Sequence, residues 1–316
     1  MTRSSTRRQA WLALVVSALL LAGSALAASA QSGDTELAKE LPPVDLPTMN
    51  VQGFVFNIDS SYSGTPSGTP TDAPVYSMML QTLDGDQARA LADALGIDAE
   101  VKDQGNGTYS AAGNGKLFVT PGLAQYVAPG ASPEGGLASD DEVIAAAREW
   151  LRSNGQLPAD AGDGSIEAKV DNPAQAIVVF LPVSPSPLIS SIPSISVTVG
   201  ASNTIVEASW RWADLSHTDT YQLRPLDQAW TEVVERRSYV NSSLPADKYP
   251  DGSTIEGSAI YSSVSIAWAP SGVPGEQQYL QPVYVFSGKL TPKDSQESYA
   301  ITAYVPALAN SKQPVG

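Results

Sequence analysis

The chain has no cysteine and a single histidine, His217, among 316 residues. The first absence removes disulfides, thiol catalysis and thiolate metal sites together. The second removes any multi-histidine zinc centre, since only carboxylates remain to complete a ligand set. Basic residues are also scarce, 18 Lys and Arg against 33 Asp and Glu, for a formal net charge of −15. A surface of that sign repels phosphate backbones and anionic bilayers, so nucleic acid is excluded as a partner held by bulk electrostatics. Without staples, stability must come from apolar cores, and 42% hydrophobic residues over this length suffice for more than one.

The one long apolar run lies at the start. Arg3, Arg7 and Arg8 precede residues 11–22, and the small-x-small sites at Ala25 to Ala27 and Ala28 to Ala30 follow. That is the pattern of an export signal with cleavage near Ala30. Its core is shorter than the ~20 residues of a spanning helix. An uncleaved signal would be the protein's only membrane contact. Ser24 stands where a lipoprotein signal needs cysteine, so lipid anchoring of that kind is excluded. Removing the three arginines takes the formal net charge from −15 to −18. An extracytoplasmic location, secreted or at the cell surface, is expected.

Residues 31–74 read as a flexible acidic and Gly/Ser/Pro linker with a short strand near Val51 to Ile58. Three helix signals follow. Asp84 opens the first, with Ala88, Leu91, Ala92 and Leu95 at helical spacing and Gly96 as the stop. Ser139 and Glu142 form a capping box before the stripe Val143, Ile144, Ala147, Trp150 and Leu151. Pro225 starts the third, whose Ala229, Trp230, Val233 and Val234 face inward and whose Glu235-Arg236-Arg237 brings cations to the negative end. A short apolar strand signal precedes each helix (75–80, 125–127 and 221–223), and alternating strands follow each. The strongest strand signal is 279–288, YLQPVYVFSG, apolar on both faces as a covered central strand requires.

The expected class is α+β, with a β-α-β-β-β unit, one helix laid on a short antiparallel sheet, recurring three times. The units are expected at 75–137 (degenerate), 138–215 and 216–316. Ser184-Pro185-Ser186-Pro187 and Pro193 interrupt the second, demoting that stretch to an edge or loop.

The third helix (Pro225, Leu226, Asp227, Ala229, Trp230), the run 279–286 and a last strand at 299–306 resemble PepSY-type domains, the modules of peptidase propeptides and YpeB-like envelope proteins. They are similar also to the YycI-type extracytoplasmic regulators of a cell-wall sensor kinase. The resemblance implies a non-enzymatic domain that binds or restrains a protein partner, and it brings no catalytic residue, metal or cofactor. The chain departs from the regulators in having a cleavable-looking signal.

Candidate sites are few. His217, in Ser216-His217-Thr218-Asp219, reads as a solvated turn residue, because a catalytic base needs a positioned nucleophile and orienter. Asp84, Asp86, Asp140, Asp141 and Glu142 have a local explanation at helix starts. Asp160 to Gly164 and Asp247 to Gly252 lack the ligand spacing of a calcium loop and read as turns. Asn106-Gly-Thr108 and Asn241-Ser-Ser243 match glycosylation acceptors and read as loops. Trp210 and Trp212, two apart on a strand, share a face. Buried, they are core; exposed, they would stack on sugar or seat a partner peptide. The functional expectation is a protein-binding regulatory domain that restrains a peptidase or sensor of the envelope. The alternative is a carbohydrate-binding or carboxylate-dependent wall hydrolase, which needs that exposed pair beside two close acids.

Overall fold

A computed structural model describes residues 41–46, 53–64, 69–130, 134–171, 173–190, 192–272 and 278–309. The expected export signal and the start of the tether lie outside these residues. No helix among the described residues is long and apolar enough to cross a membrane.

The architecture is α+β, mostly sheet, with three helices among the described residues: α1 (Gly85–Ala94), α2 (Asp140–Ser153) and α3 (Leu226–Val234). At α1, Asp84 Oδ1 accepts the amides of Asp86 and Gln87 at 3.0 and 2.9 Å, while Gln87 Oε1 accepts the Asp84 amide at 2.8 Å. Gly96, at φ +67°, ends the helix as only a residue without Cβ does freely. At α2 the Glu142 carboxylate takes both the amide and the hydroxyl of Ser139, at 3.0 and 2.8 Å. These bonds hold the Glu142 carboxyl below its usual range.

Behind α1 come β3 (Lys102–Gly105), β4 (Thr108–Ala112), β5 (Lys116–Thr120) and β6 (Leu123–Val127). Behind α2 come β7 (Ser165–Asp171), β8 (Ala174–Phe180), β9 (Ser194–Gly200) and β10 (Ile205–Arg211). These two meanders join through their last strands into one eight-stranded sheet, β3-β4-β5-β6-β10-β9-β8-β7. The two helix-plus-four-strand runs therefore meet head to head across the antiparallel β6–β10 pair. Alternation assigns the faces. Leu117, Tyr126, Ala208, Val197 and Val178 are cross-strand neighbours on one face, all buried with Val143, Ala147 and Leu151 of α2 and Leu91 of α1. Each such aliphatic side chain removed from water stabilises by about 1.5–3 kcal/mol.

The second sheet has seven strands. Its path is β1-β13-β14-β15-β12, and β2 and β11 form a ribbon attached through β14. These are β1 (Val55–Tyr62), β2 (Asp72–Leu80), β11 (Ala213–Gln222), β12 (Tyr239–Ser242), β13 (Thr254–Ser271), β14 (Gln278–Pro292) and β15 (Tyr299–Pro306). The apolar run of the sequence is the middle of β14, hydrogen-bonded on both sides, with Tyr284 and Phe286 buried. Gly288 is glycine for space, since a Cβ there would lie 2.3 Å from the Ile260 carbonyl oxygen. α3 packs on β15 and β1 over a core that includes Tyr261, Tyr284, Phe286 and Ile301.

The chain leaves this second lobe after β2, builds the eight-stranded sheet, and returns at β11. The Gln81 amide meets the Trp212 carbonyl at 3.0 Å where the two passages touch. The proline-rich loop between β8 and β9 reaches back across: the Trp268 amide donates to the Pro187 carbonyl and the Ile189 amide to the Trp268 carbonyl, both at 2.9 Å. Leu188 and Ile192 pack there beside Met78, Ala213 and Leu280.

Several expectations are corrected. Ser60 to Tyr62 and Asp72 to Pro74 belong to strands, because the parallel ladder with β13 and the ribbon pairing with β11 extend past the apolar residues. Ser216 to Asp219 are likewise in β11, where the long partner β2 supplies a ladder and a bulge between His217 and Asp219 absorbs the extra residue. Asn241 and Ser242 lie in β12 rather than a loop. The end of the expected tether is fixed, with Leu41, Val44 and Leu46 buried and the Asp45 amide on the Pro270 carbonyl at 2.8 Å.

Candidate functional site

A recess with mostly apolar walls opens beyond the C-terminal end of α3. Phe54, Phe56 and Ile58 of the β1 side, Tyr239 and Val240 of β12, Val233 of α3, Tyr261 of β13 and Tyr304 of β15 line it, enclosing a cavity of about 510 Å³. β1 and β12 are the two ends of the strand path. Both border one recess, so the sheet curls around α3 and the helix stops short of filling the hollow. The volume falls in the range of small-molecule pockets.

Ser60, Asn241 and several phenols interrupt these apolar walls, and three further polar groups matter most. Tyr261 is 0% exposed, its ring is held edge-on by Trp230 at 5.6 Å, and its hydroxyl has no hydrogen-bond partner among the described residues. Burial pushes the Tyr261 phenol well above its usual range, so it stays a neutral donor. The Ser238 hydroxyl is also buried without a partner. Leaving such a group unsatisfied costs about 1–3 kcal/mol. The third group is Arg236. Its backbone takes φ +61°, which turns the chain off the helix end, and its guanidinium bonds Asn57 Oδ1 and, at 3.4 Å, the Ile58 carbonyl. Among the described residues its side chain makes no ion pair. Other phenols of the wall are also raised: Tyr304 by burial, and Tyr239 by burial and then by the nearby Asp45 carboxylate.

The residues singled out in the sequence lie elsewhere. Trp210 and Trp212 are 9% and 5% exposed and belong to the core behind α2, where Trp210 stacks on Trp150 at 6.1 Å. Neither presents a face to a sugar or a peptide. They border a small void of about 50 Å³ shared with Leu91 and Leu123. His217 is exposed, with Nε2 3.4 Å from the Thr220 hydroxyl and the ring edge-on to Tyr76. Among the described residues no cluster of three acids or histidines could hold a metal. Asp163 pairs with Arg148 at 3.3 Å, and Asp140 with Lys169 at 2.6 Å. Sequence reading missed Arg236, Ser238 and Tyr261. The available signal was the pair Arg236-Arg237 just past the last apolar residue of the helix.

A second surface stands out by what leaves it uncovered. The helices cover one face of the eight-stranded sheet, and the register lines up Ser110, Phe118, Gln125, Ser209, Ser196 and Val179 across the other. The next row is Lys116, Val127, Glu207, Thr198 and Ile177. Phe118 is 44% exposed and Val127 39%, and Glu207 is tied to Gln125 at 3.0 Å.

No family model matches the chain, and no curated protein is similar to it. Among the solved structures that the chain matches are the following two. An uncharacterized protein from Eubacterium rectale gives a TM-score of 0.46 at 12% identity, over 83% of this chain and 91% of that one. The C-terminal domain of Bacillus megaterium YpeB gives 0.37 at 13% identity, over 75% of this chain and 98% of that one. Neither carries a residue role to this protein.

Proposed function

We propose that this is an extracytoplasmic, non-catalytic binding protein that docks another envelope protein, a peptidase or sensor it restrains, on the uncovered face of the eight-stranded sheet. The observation that carries the reading is the chemistry of that face. In a chain with 33 acids, its two central rows hold one, Glu207, and one base, Lys116. Depletion of charge with exposed aromatic and aliphatic groups is the composition of an interface core. Eight strands at ~4.8 Å spacing give a face roughly 30 Å across, on the scale of a standard protein contact.

The recurrence of one helix followed by four strands supports grouping the chain with PepSY-type modules. It occurs at α1 with β3 to β6, at α2 with β7 to β10, and at α3 with β12 to β15. We read these as the three units expected at 75–137, 138–215 and 216–316, with four strands after the helix in place of the expected three and with the opening strand of the first, β2, in the other sheet. The wall-hydrolase reading asked for exposed Trp210 and Trp212 beside converging carboxylates. The rings are buried, and the acids nearest helix starts serve caps and surface pairs.

Photo-cross-linking residues at Phe118 and Ser196, with Asp93 on α1 as control, test the assignment in the intact chain. One envelope protein joined from the sheet positions and absent from the control is the expected result. Equal joining from Asp93, or recovery of glycan without protein, would overturn it.

A further inference from the structure

We infer that the recess beyond α3 is a binding site for a small amphipathic carboxylate, its apolar chain among Phe54, Phe56, Ile58 and Val240 and its carboxylate at Arg236. This goes beyond the docking reading and does not depend on it, since the recess and the uncovered face belong to different sheets.

The walls exclude most polar ligands. Aromatic and branched side chains supply them, and burying an apolar chain against these walls drives entry at ~25 cal/mol per Å². The polar groups then fix the chemistry of the other end. Arg236, Ser238 and Tyr261 are all able to donate, and the two hydroxyls lack partners among the described residues. A guanidinium carries five N–H donors and spends some on Asn57 and Ile58, so capacity remains for an acceptor. No carboxylate pairs with Arg236 among the described residues. A ligand bearing oxygen acceptors and one negative charge offers each of these donors an acceptor of the kind it lacks. A cationic ligand answers none. A neutral alcohol satisfies the hydroxyls and leaves the cation unmatched.

The charge on Arg236 is also selective by contrast. In a chain of formal net charge −15, Arg236 lines this apolar hollow as a cation with no ion pair among the described residues, its other side turned to the recess it shares with Asp59 and Glu256. It favours an anion where the remaining surface repels one. The carboxylate source is taken to be a free amphiphile, because the volume of about 510 Å³ is bounded on both sides by β1 and β12 and suits a compact molecule.

Titration calorimetry with decanoate and with decanol, on the full chain, reads the proposal directly. Decanoate should saturate one site and bind about tenfold tighter than decanol, the worth of one charge-assisted hydrogen bond. Arg236→Gln should bring the two ligands level, with decanol affinity unchanged as proof that the fold survives. Tyr261→Phe should weaken both ligands while preserving the packing. Absence of saturable decanoate binding, or equal affinity for both ligands in the unaltered chain, would overturn the site. Tighter binding of a short apolar peptide with a free carboxyl end than of decanoate would overturn the free amphiphile in favour of a protein terminus.

Discussion

α2 and α3 carry stripes of the same kind, Val143, Ala147, Leu151 in one and Ala229, Val233 in the other, with a tryptophan beside each. They meet different sheets. Behind α1 and α2 the strands follow in chain order, β3 to β6 and β7 to β10, so two helices cover eight strands. Behind α3 the order is β13-β14-β15-β12, and β1 adds itself in parallel from far upstream. One helix of nine residues then faces a curled sheet. The hollow follows from that mismatch of cover to surface. A unit that keeps its own strands closes its core, and one that moves a strand to the far edge and borrows another leaves room for a ligand.

The largest test of this contrast concerns polar content. The seven-stranded lobe holds Arg224 and Glu232 as an ion pair with side chains 10% and 12% exposed, whereas every other ion pair among the described residues includes a partner at least 46% exposed. Glu232→Gln should therefore cost about 3–5 kcal/mol in urea unfolding, because it removes the carboxylate charge from a buried guanidinium. Replacing both partners with apolar residues should recover most of that loss. A single-residue cost under about 1 kcal/mol would show the pair to be solvated and the two lobes alike in this respect.

Next come the paired tryptophans. Trp230 sits against Tyr62, Tyr261 and Phe286 with ring centroids 5.5, 5.6 and 5.6 Å away. Trp150 stacks between Tyr126 and Trp210 at 5.6 and 6.1 Å. Each is half-buried, so alanine at either position should cost about 3 kcal/mol, at the lower end for aromatic truncation. The contrast lies in a second readout. Only Trp230→Ala should also weaken decanoate binding, since Trp230 holds Tyr261 in place. Equal ligand effects from both would erase the distinction between closed and open cores.

Much of this was legible beforehand, and the parts that were not have a common cause. All three helices were readable, because Asp84, Ser139 and Pro225 mark their starts within one residue and the stripes have helical period, although Val234, expected to face inward, is 48% exposed. The centre of β14 was readable from its two-sided apolar run. Neither signal speaks of partners distant in sequence. Val55 to Tyr62 pair with Thr254 to Tyr261, and nothing local in either stretch specifies that meeting. The Ser216 to Asp219 strand was hidden for the same reason, its ladder being supplied by Tyr76 and its neighbours. The recess needed β1, β12 and α3 together. Its residues, ordinary tyrosines, a serine and one arginine, carry no spacing that a linear reading could catch.

The smallest effect is in acid. The Glu142 carboxyl is held low by Ser139, and the Glu297 carboxyl by hydrogen bonds first from Lys248 and then from Tyr299, one network in each lobe. A depressed acid contributes stability above its unfolded value and loses it as pH falls through the folded one. Stability should thus decline below the ordinary carboxylate range in both lobes, by a small step for such exposed groups. Ser139→Ala should shrink only the step of the eight-stranded lobe, and Lys248→Met only that of the other, as read by amide exchange in each sheet. A step abolished in both lobes by either change would mean that the sheets unfold as one body.

The contact between Gln81 and Trp212, where the outgoing and returning passages touch at 3.0 Å, makes the eight-stranded sheet a cassette carried on a hairpin stem. Excised between those two residues and replaced by a tight turn, it would leave β2 and β11 as an ordinary hairpin and the ligand hollow undisturbed. What such a deletion would expose is the flank of Trp268, now sheltered by Leu188 and Ile192. That flank is where a transplanted module would have to supply its own apolar hook.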